Sequence, residues 1–355
     1  VCPSTGNYCR GGAYDSALMG CQSIAIVPEG MSKERFEWLS KIAGEVIATP
    51  GSESNVKEIF DKCKELRASG QDLMIFNQFE EFGNYLWHYE ITGHAMEDVL
   101  KQVLRPGDHY RGVAMTTGSA GTIASGDYLK QVFPTSKVIA SEALQCPTLL
   151  ENGFGSHRIE GIGDKYVPWI HNVKNTDLVV AIDDNAVVNL MRLFNEPEGK
   201  KFLTKQGVPE EVVSRLDLLG FSGIANVLSA IKFAKYNELV ETDIVLTVLT
   251  DSMELYSSRI QEMRDQFGAF SEVDAAATFA RYLQGVTSDN LLELTYETRK
   301  RIHNLKYYTW VEQQGRTYDE IQAQWYDPNY WTDIQGQVGE IDALISEFNQ
   351  LAAVE

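Results

Sequence analysis

Residues 115–129 read MTTGSAGTIASGDYL. A short apolar run, Gly112–Thr116, meets the small residues Gly118, Ser119, Ala120, Gly121 and Thr122, and a helical pattern follows to about Phe133. A strand that turns on small residues into a helix lets backbone N–H groups converge, and the helix N-terminus adds a field that favours an anion. Ser119 and Thr122 add hydroxyls. The loop has no Gly-Lys-Ser or Gly-Lys-Thr, so it is not a nucleotide P-loop, and it lacks the full GxGxxG spacing. Taken alone, such a turn serves equally well for tight strand–helix packing.

The segments on either side repeat the same strand–helix rhythm. Ser23–Val27 (SIAIV), Glu45–Thr49 (EVIAT) and Asp72–Phe76 (DLMIF) read as strands upstream; Lys137–Ser141 (KVIAS), Leu178–Ile182 (LVVAI) and Ile244–Leu249 (IVLTVL) do so downstream. Between them lie amphipathic stretches: Met31–Ala43 with Ser32 as N-cap, the face Val56, Ile59, Phe60, Cys63 and Leu66, then Tyr85–Val103, Asn185–Phe194 and Gly223–Tyr236. Apolar strands alternating with crossover helices predict an α/β protein with mostly parallel sheets covered by helices on both faces. From about Arg259 the strand-like runs cease. The rest reads as a helical C-terminal extension, rich in Tyr, Trp and Gln, that covers the core or builds a dimer contact. The expected division is 1–111, 112–258 and 259–355.

The 355 residues carry 50 Asp and Glu against 31 Lys and Arg, a formal charge of −19. Nucleic-acid backbones and acidic membranes repel such a polyanion, and no apolar run approaches the ~18 residues of a membrane helix. The five cysteines, Cys2, Cys9, Cys21, Cys63 and Cys146, form no metal or disulfide spacing and read as reduced thiols of a cytoplasmic protein. The chain opens at Val1 with neither Met nor signal peptide, which reads as the interior of a larger frame or a processed chain. His88 and His94 are six apart, not the i, i+4 pair of a helical metal site, and no metal is expected. Asp183-Asp184 is a helix cap rather than a Mg²⁺ site, and no GxSxG nucleophile elbow occurs.

Several stretches, in collinear order from Cys2 to Ser258, resemble one family. STGN (residues 4–7) looks like its asparagine loop, and VPEGMSKERFEWLSKIAGEVIATPG like its MPxxMSxERRxxLxxxGAEVxxTPG stretch. FNQFEEFGN resembles NQFxNPAN, GSAGTI resembles GTGGTI, and SHRIEGIGDKYVP resembles PHxIQGIGxGFxP. GFSGIAN is similar to GxSSGAA, and LTDS to LPDS. The family is the fold-type II pyridoxal-phosphate enzymes, specifically the cysteine synthase and cystathionine β-synthase group, with a tryptophan synthase β-subunit-like fold.

The resemblance implies pyridoxal 5'-phosphate as cofactor and a set of roles. Gly118, Ser119, Ala120, Gly121 and Thr122 would hold the phosphate, Asn7 the 3'-oxygen, and Ser252 the pyridine nitrogen, with Gly161 beside the ring. Ser4, Thr5 and Gln78 would bind the carboxylate of a small amino-acid substrate. Tyr8 and Cys9 replace the usual Thr-Gly and Arg10 follows, which would put bulk and a cation near that carboxylate. The family's Schiff-base lysine belongs to a segment ahead of the asparagine loop. Lys33, Lys41, Lys57, Lys62 and Lys64 fall on polar helix faces instead, so the lysine is expected on a segment or chain upstream of residue 1, and no catalytic residue within 1–355. The implied chemistry is β-replacement on a β-substituted amino acid by a homodimer. The alternatives are β-elimination with deamination, and a catalytically silent subunit.

Overall fold

The computed structural model describes residues 1–4, 6–52 and 54–352. Two sheets organise them. The smaller contains β1 (Cys2–Pro3), β2 (Ile24–Pro28) and β3 (Glu45–Thr49), all parallel, in the order β1-β2-β3. The larger contains β4 (His109–Thr116), β5 (Lys137–Ala143), β6 (Leu178–Ile182), β7 (Asp243–Thr247) and β8 (Leu291–Glu293), in the order β7-β4-β5-β6-β8. Only β8 runs antiparallel, against β6.

Strands buried on both faces need apolar residues at every position rather than at alternate ones. All five residues of β6 are buried, and so are Val113, Ala114 and Met115 of β4 and Val138, Ile139 and Ala140 of β5. The helices Asp184–Asn195 and Phe221–Tyr236 pack one cluster with Ile139, Val180 and Ile182, while Ile123 and Leu129 of the helix Ile123–Val132 pack another with Val113 and Val138. The α/β class with mostly parallel sheets and helices on the faces is therefore what the chain builds.

Three expectations need correction. Asp72–Phe76 is extended but no ladder strand: its polar links are to the first residue, with the Val1 ammonium donating to the Met74 carbonyl and Phe76 N–H to the Val1 carbonyl, and Met74 and Phe76 stay exposed. An apolar run forms a strand only where a neighbour offers a full edge. The extension after Arg259 is not wholly helical, because Leu291–Glu293 supplies β8; three residues are too few for a period to show. Ser32 stands at the N-cap of Lys33–Ile42, yet its hydroxyl makes no cap bond and is buried without a partner. Asp183 does cap its helix, accepting from Asn185 N–H at 3.0 Å.

Candidate active site

The carboxyl ends of three parallel strands converge on one cavity of about 220 Å³. Ser4 and Gly6 follow β1, the loop 118–122 follows β4, and Thr250 follows β7. Open α/β sheets bind ligands outside the carboxyl ends of their strands. The volume is below the ~300–1,000 Å³ of sites for drug-sized ligands, so it suits a single ring with its substituents rather than a dinucleotide.

One wall is the small-residue loop. Thr117 anchors it twice, donating its N–H to the Ser141 carbonyl (2.8 Å) and accepting from Gly163 N–H (2.9 Å). Ala120 adopts a left-handed φ of 65°, which turns the chain tightly. A Cβ on Gly121 would stand 2.5 Å from Asn84 Oδ1, and one on Gly118 3.0 Å from the Gly161 carbonyl, so side chains there would fill the cradle. Asn84 braces the loop from outside, donating Nδ2–H to Ser119 Oγ (3.0 Å) and to the Gln78 carbonyl (2.9 Å). Among the described residues, the N–H groups of Gly118, Ser119, Ala120 and Thr122 find no acceptor, and the Thr117 hydroxyl is buried without a partner. Donors left open around one cavity in this way suit an external acceptor. An anion with several oxygens, such as a phosphate ester, satisfies them, so the site fits a phosphorylated cofactor.

A second polar residue fixes where this loop begins. Asn226 accepts from Thr116 N–H (2.6 Å) and donates to the Val248 carbonyl (2.6 Å). It spans β4 and β7 where their ladder ends, at Ala114 and Thr247.

The second wall is a closed network around Arg35, whose side chain is 2% exposed, and it reaches the cavity through Asn7 and Glu160. Its Nε donates to Glu160 Oε2 (3.0 Å), Nη1 to Asn7 Oδ1 (2.9 Å) and Nη2 to Asp251 Oδ2 (3.1 Å) and to the Tyr256 hydroxyl. Asn7 Nδ2 and the Tyr256 hydroxyl also donate to Asp251 Oδ2, at 2.9 and 2.8 Å. Glu160 accepts further from Ser32 N–H (3.2 Å) and from Arg259 (2.7 Å). Burial works against the Arg35 charge, but the Glu160 and Asp251 carboxylates outweigh it and hold the guanidinium protonated. Burial pushes the Tyr256 phenol well up, so it stays a neutral donor. A Cβ on Gly6 would stand 2.4 Å from Arg35 Nη1; the glycine admits the guanidinium to the loop.

Of the sequence-predicted residues, Asn7, Gly118, Ser119, Ala120, Gly121, Thr122, Gly161, Ser4 and Gln78 line this one cavity. Thr5 lies outside the described residues. Ser252 is not among the lining residues; Thr250, two positions earlier, is. Tyr8 lines the cavity as its bulk suggested, whereas Arg10 turns aside to stack on Trp38, 4.6 Å from the ring centre. Asn7 has spent its carbonyl on Arg35 and one amide hydrogen on Asp251, which leaves one N–H for a ligand. Sequence reasoning missed His88, Asn84, Glu160, Ser222 and Thr250 as lining residues. His88 occupies a π-helical turn, His88–Thr92, and its Nδ1 shares a hydrogen bond with Thr92 Oγ1 (2.9 Å); burial lowers its pKa to about 4. Irregular turns of this kind recur at functional sites, but nothing in the local sequence marks one. No lysine lines the cavity among the described residues.

A family model described as "Pyridoxal-phosphate dependent enzyme" matches residues 1–200. The chain belongs to that family. Its cofactor is pyridoxal phosphate, consistent with the open donors of the cradle. The chain is 28% identical over 257 residues to a cysteine synthase of Staphylococcus aureus (strain Mu50 / ATCC 700699), covering 72% of this chain and 74% of the relative. To cysteine synthase B of Campylobacter jejuni it is 29% identical over 244 residues, 68% and 72% of the two chains. Among solved structures, an O-acetylserine-dependent cystathionine β-synthase from Helicobacter pylori superposes with a TM-score of 0.57 at 26% identity, covering 72% of this chain and 75% of that one. No helix among the described residues is long and apolar enough to cross a membrane.

Proposed function

We propose that the chain carries out pyridoxal-phosphate-dependent β-replacement on a β-substituted amino acid, with the Schiff-base lysine contributed from outside residues 1–355. The observation that carries this reading is the cradle 118–122, with unpaired N–H groups, facing the same small cavity as Asn7, Ser4 and Gln78. The relatives named cysteine synthase and cystathionine β-synthase support replacement as the reaction. The lysine-free lining supports the external lysine.

The bound cofactor supplies an electron-accepting ring that weakens the Cα–H bond of an attached amino acid and lets its β-substituent leave. The chain's own residues divide the remaining work. The open backbone donors of Gly118, Ser119, Ala120 and Thr122 would hold the phosphate, and the remaining Asn7 N–H would address the 3'-oxygen. Gly161, without a side chain, leaves room beside the ring. Ser4, Thr5 and Gln78 bind and orient the substrate carboxylate. A hydroxyl at the end of β7 would meet the ring nitrogen, and Thr250, which lines the cavity where Ser252 does not, is the candidate. A neutral hydroxyl leaves that nitrogen without a proton and moderates the ring's pull, which favours loss and exchange of the β-group over transamination.

The test uses the complete protein from its native source. Serine or an O-activated serine is supplied with and without a thiol, and thioether is measured against pyruvate. Thioether formation is expected; pyruvate regardless of thiol assigns elimination instead. Borohydride reduction followed by peptide mapping locates the cofactor-bearing lysine. A labelled lysine within 1–355 overturns the external lysine. A protein that takes up no pyridoxal phosphate overturns the whole reading and leaves the silent subunit.

A further inference from the structure

The C-terminal helix, Val338–Leu351, buries none of its side chains. Its apolar residues Ile341, Leu344, Ile345 and Phe348 fall at i, i+3, i+4 and i+7, one stripe along a face. Phe348 is 67% exposed and Leu351 81%. An apolar stripe of this kind on a soluble chain marks a contact surface. The helix is also purely anionic. Glu340, Asp342 and Glu347 lie within it, and no Lys, Arg or His follows Arg316.

Elsewhere on the same chain is a groove of about 810 Å³ between the helices Tyr296–Asn304 and Tyr318–Tyr326. Tyr296, Tyr308, Tyr318 and Tyr326 line it, each more than half exposed. Tyrosines give a rigid, amphipathic lining that takes an apolar helix at low entropic cost. The groove is biased towards positive charge. Lys300 sits over the rings of Trp325 and Tyr326, at 4.7 and 4.5 Å, and its Nζ is buried with no hydrogen-bond partner. Arg301 and the nearby Lys174 donate to backbone carbonyls, and no described carboxylate pairs with any of these three cations. Glu297, also on the rim, is occupied by the Thr295 hydroxyl (2.8 Å).

We propose that the C-terminal helix of one copy docks in the tyrosine groove of a second copy. Apolar stripe meets aromatic groove, and the acidic helix meets cations that no described carboxylate pairs with. Reciprocal exchange of the same two surfaces closes a two-fold dimer. Pairing the two helices with each other is disfavoured, because it juxtaposes six carboxylates with no cation between them.

The test is sedimentation equilibrium on the full chain, with cross-linking. The wild type is expected to dimerise, and Phe348→Asp in the helix or Tyr308→Asp in the groove to weaken the dimer at least tenfold. Both positions are exposed, so circular dichroism should match the wild type. In a Cys21→Ser background, which removes the exposed native thiol, the single variants Phe348→Cys and Tyr308→Cys are mixed and oxidised. A disulfide joining one of each supports the proposal. A wild-type monomer, a dimer indifferent to both Asp variants, or Phe348→Cys bridging only to itself overturns it.

Discussion

The two walls of the cavity solve opposite problems. The cradle after β4 is made of small residues with little side chain to pack, and it leaves N–H groups of four residues without a described acceptor. The wall around Arg35 leaves little open: the guanidinium reaches Glu160, Asn7, Asp251 and Tyr256, and among the described residues of this network only Asp251 Oδ1, the Ser32 hydroxyl and one Asn7 amide hydrogen lack a partner. The first wall is incomplete until an anion arrives. The second is complete beforehand and holds Asn7 in one orientation. A cofactor that must be gripped at its phosphate yet keep its ring aligned needs both, since gripping uses unmet donors and alignment uses groups already committed.

The sharpest way to break this contrast is to remove Arg35. Arg35→Met leaves Glu160 and Asp251 buried with less compensation, and uncompensated buried charge costs about 3–5 kcal/mol. Urea unfolding should show a loss of that order. Arg35→Lys keeps the charge but not the fork that reaches four partners, and should fall between. A loss in Arg35→Met below about 1 kcal/mol would mean the closed wall is not held by this residue.

The same contrast explains what could be read from the sequence. The cradle was legible because its chemistry is consecutive: five small residues between a strand and a helix place their own backbone. The network was not. Arg35 and Glu160 are 125 positions apart, and Arg35 and Asp251 are 216 apart. In sequence Arg35 is one residue of the amphipathic stretch Met31–Ala43 and Glu160 one residue of SHRIEGIGDKYVP; only the packing of the two sheets makes them partners. Ser252 illustrates a register problem of the same origin. The motif marks the strand end but not which of its residues reaches the cavity, and Thr250 lines it where Ser252 does not. Asp72–Phe76 has strand composition, and only the absence of a full neighbouring edge withholds the ladder.

Filling the open wall should spare stability and strike binding. Gly121→Val places branched carbons against Asn84, which braces Ser119, and so moves the N–H groups that face the anion. Losing two charge-assisted hydrogen bonds of about 1.5 kcal/mol each corresponds to roughly a 100-fold weaker affinity. Absorbance or fluorescence titration with pyridoxal phosphate measures it. Unfolding by urea should change less than in Arg35→Met. The reverse pattern, strong destabilisation with unaltered affinity, would show that the loop is structural packing.

His88 offers a smaller test of how dry the space between the walls is. Burial holds its imidazole down to about 4, from an unfolded value near 6.5. Between those two values the unfolded chain takes up a proton that the folded chain refuses, so stability is present above about 6.5 and lost as the pH falls towards 4. His171 and His303, both lowered to about 3 by burial, act in the same direction. Glu142 and Asp164, raised to about 8 by burial, act oppositely, adding stability as the pH falls from about 8 towards 4. The raw curve therefore mixes signs, and the comparison of two variants isolates one group. Relative to wild type, His88→Gln should gain about 1–2 kcal/mol between pH 7 and 5 in urea unfolding. Parallel curves would mean that the imidazole titrates as it does in water, and that solvent already fills the space beside the cradle.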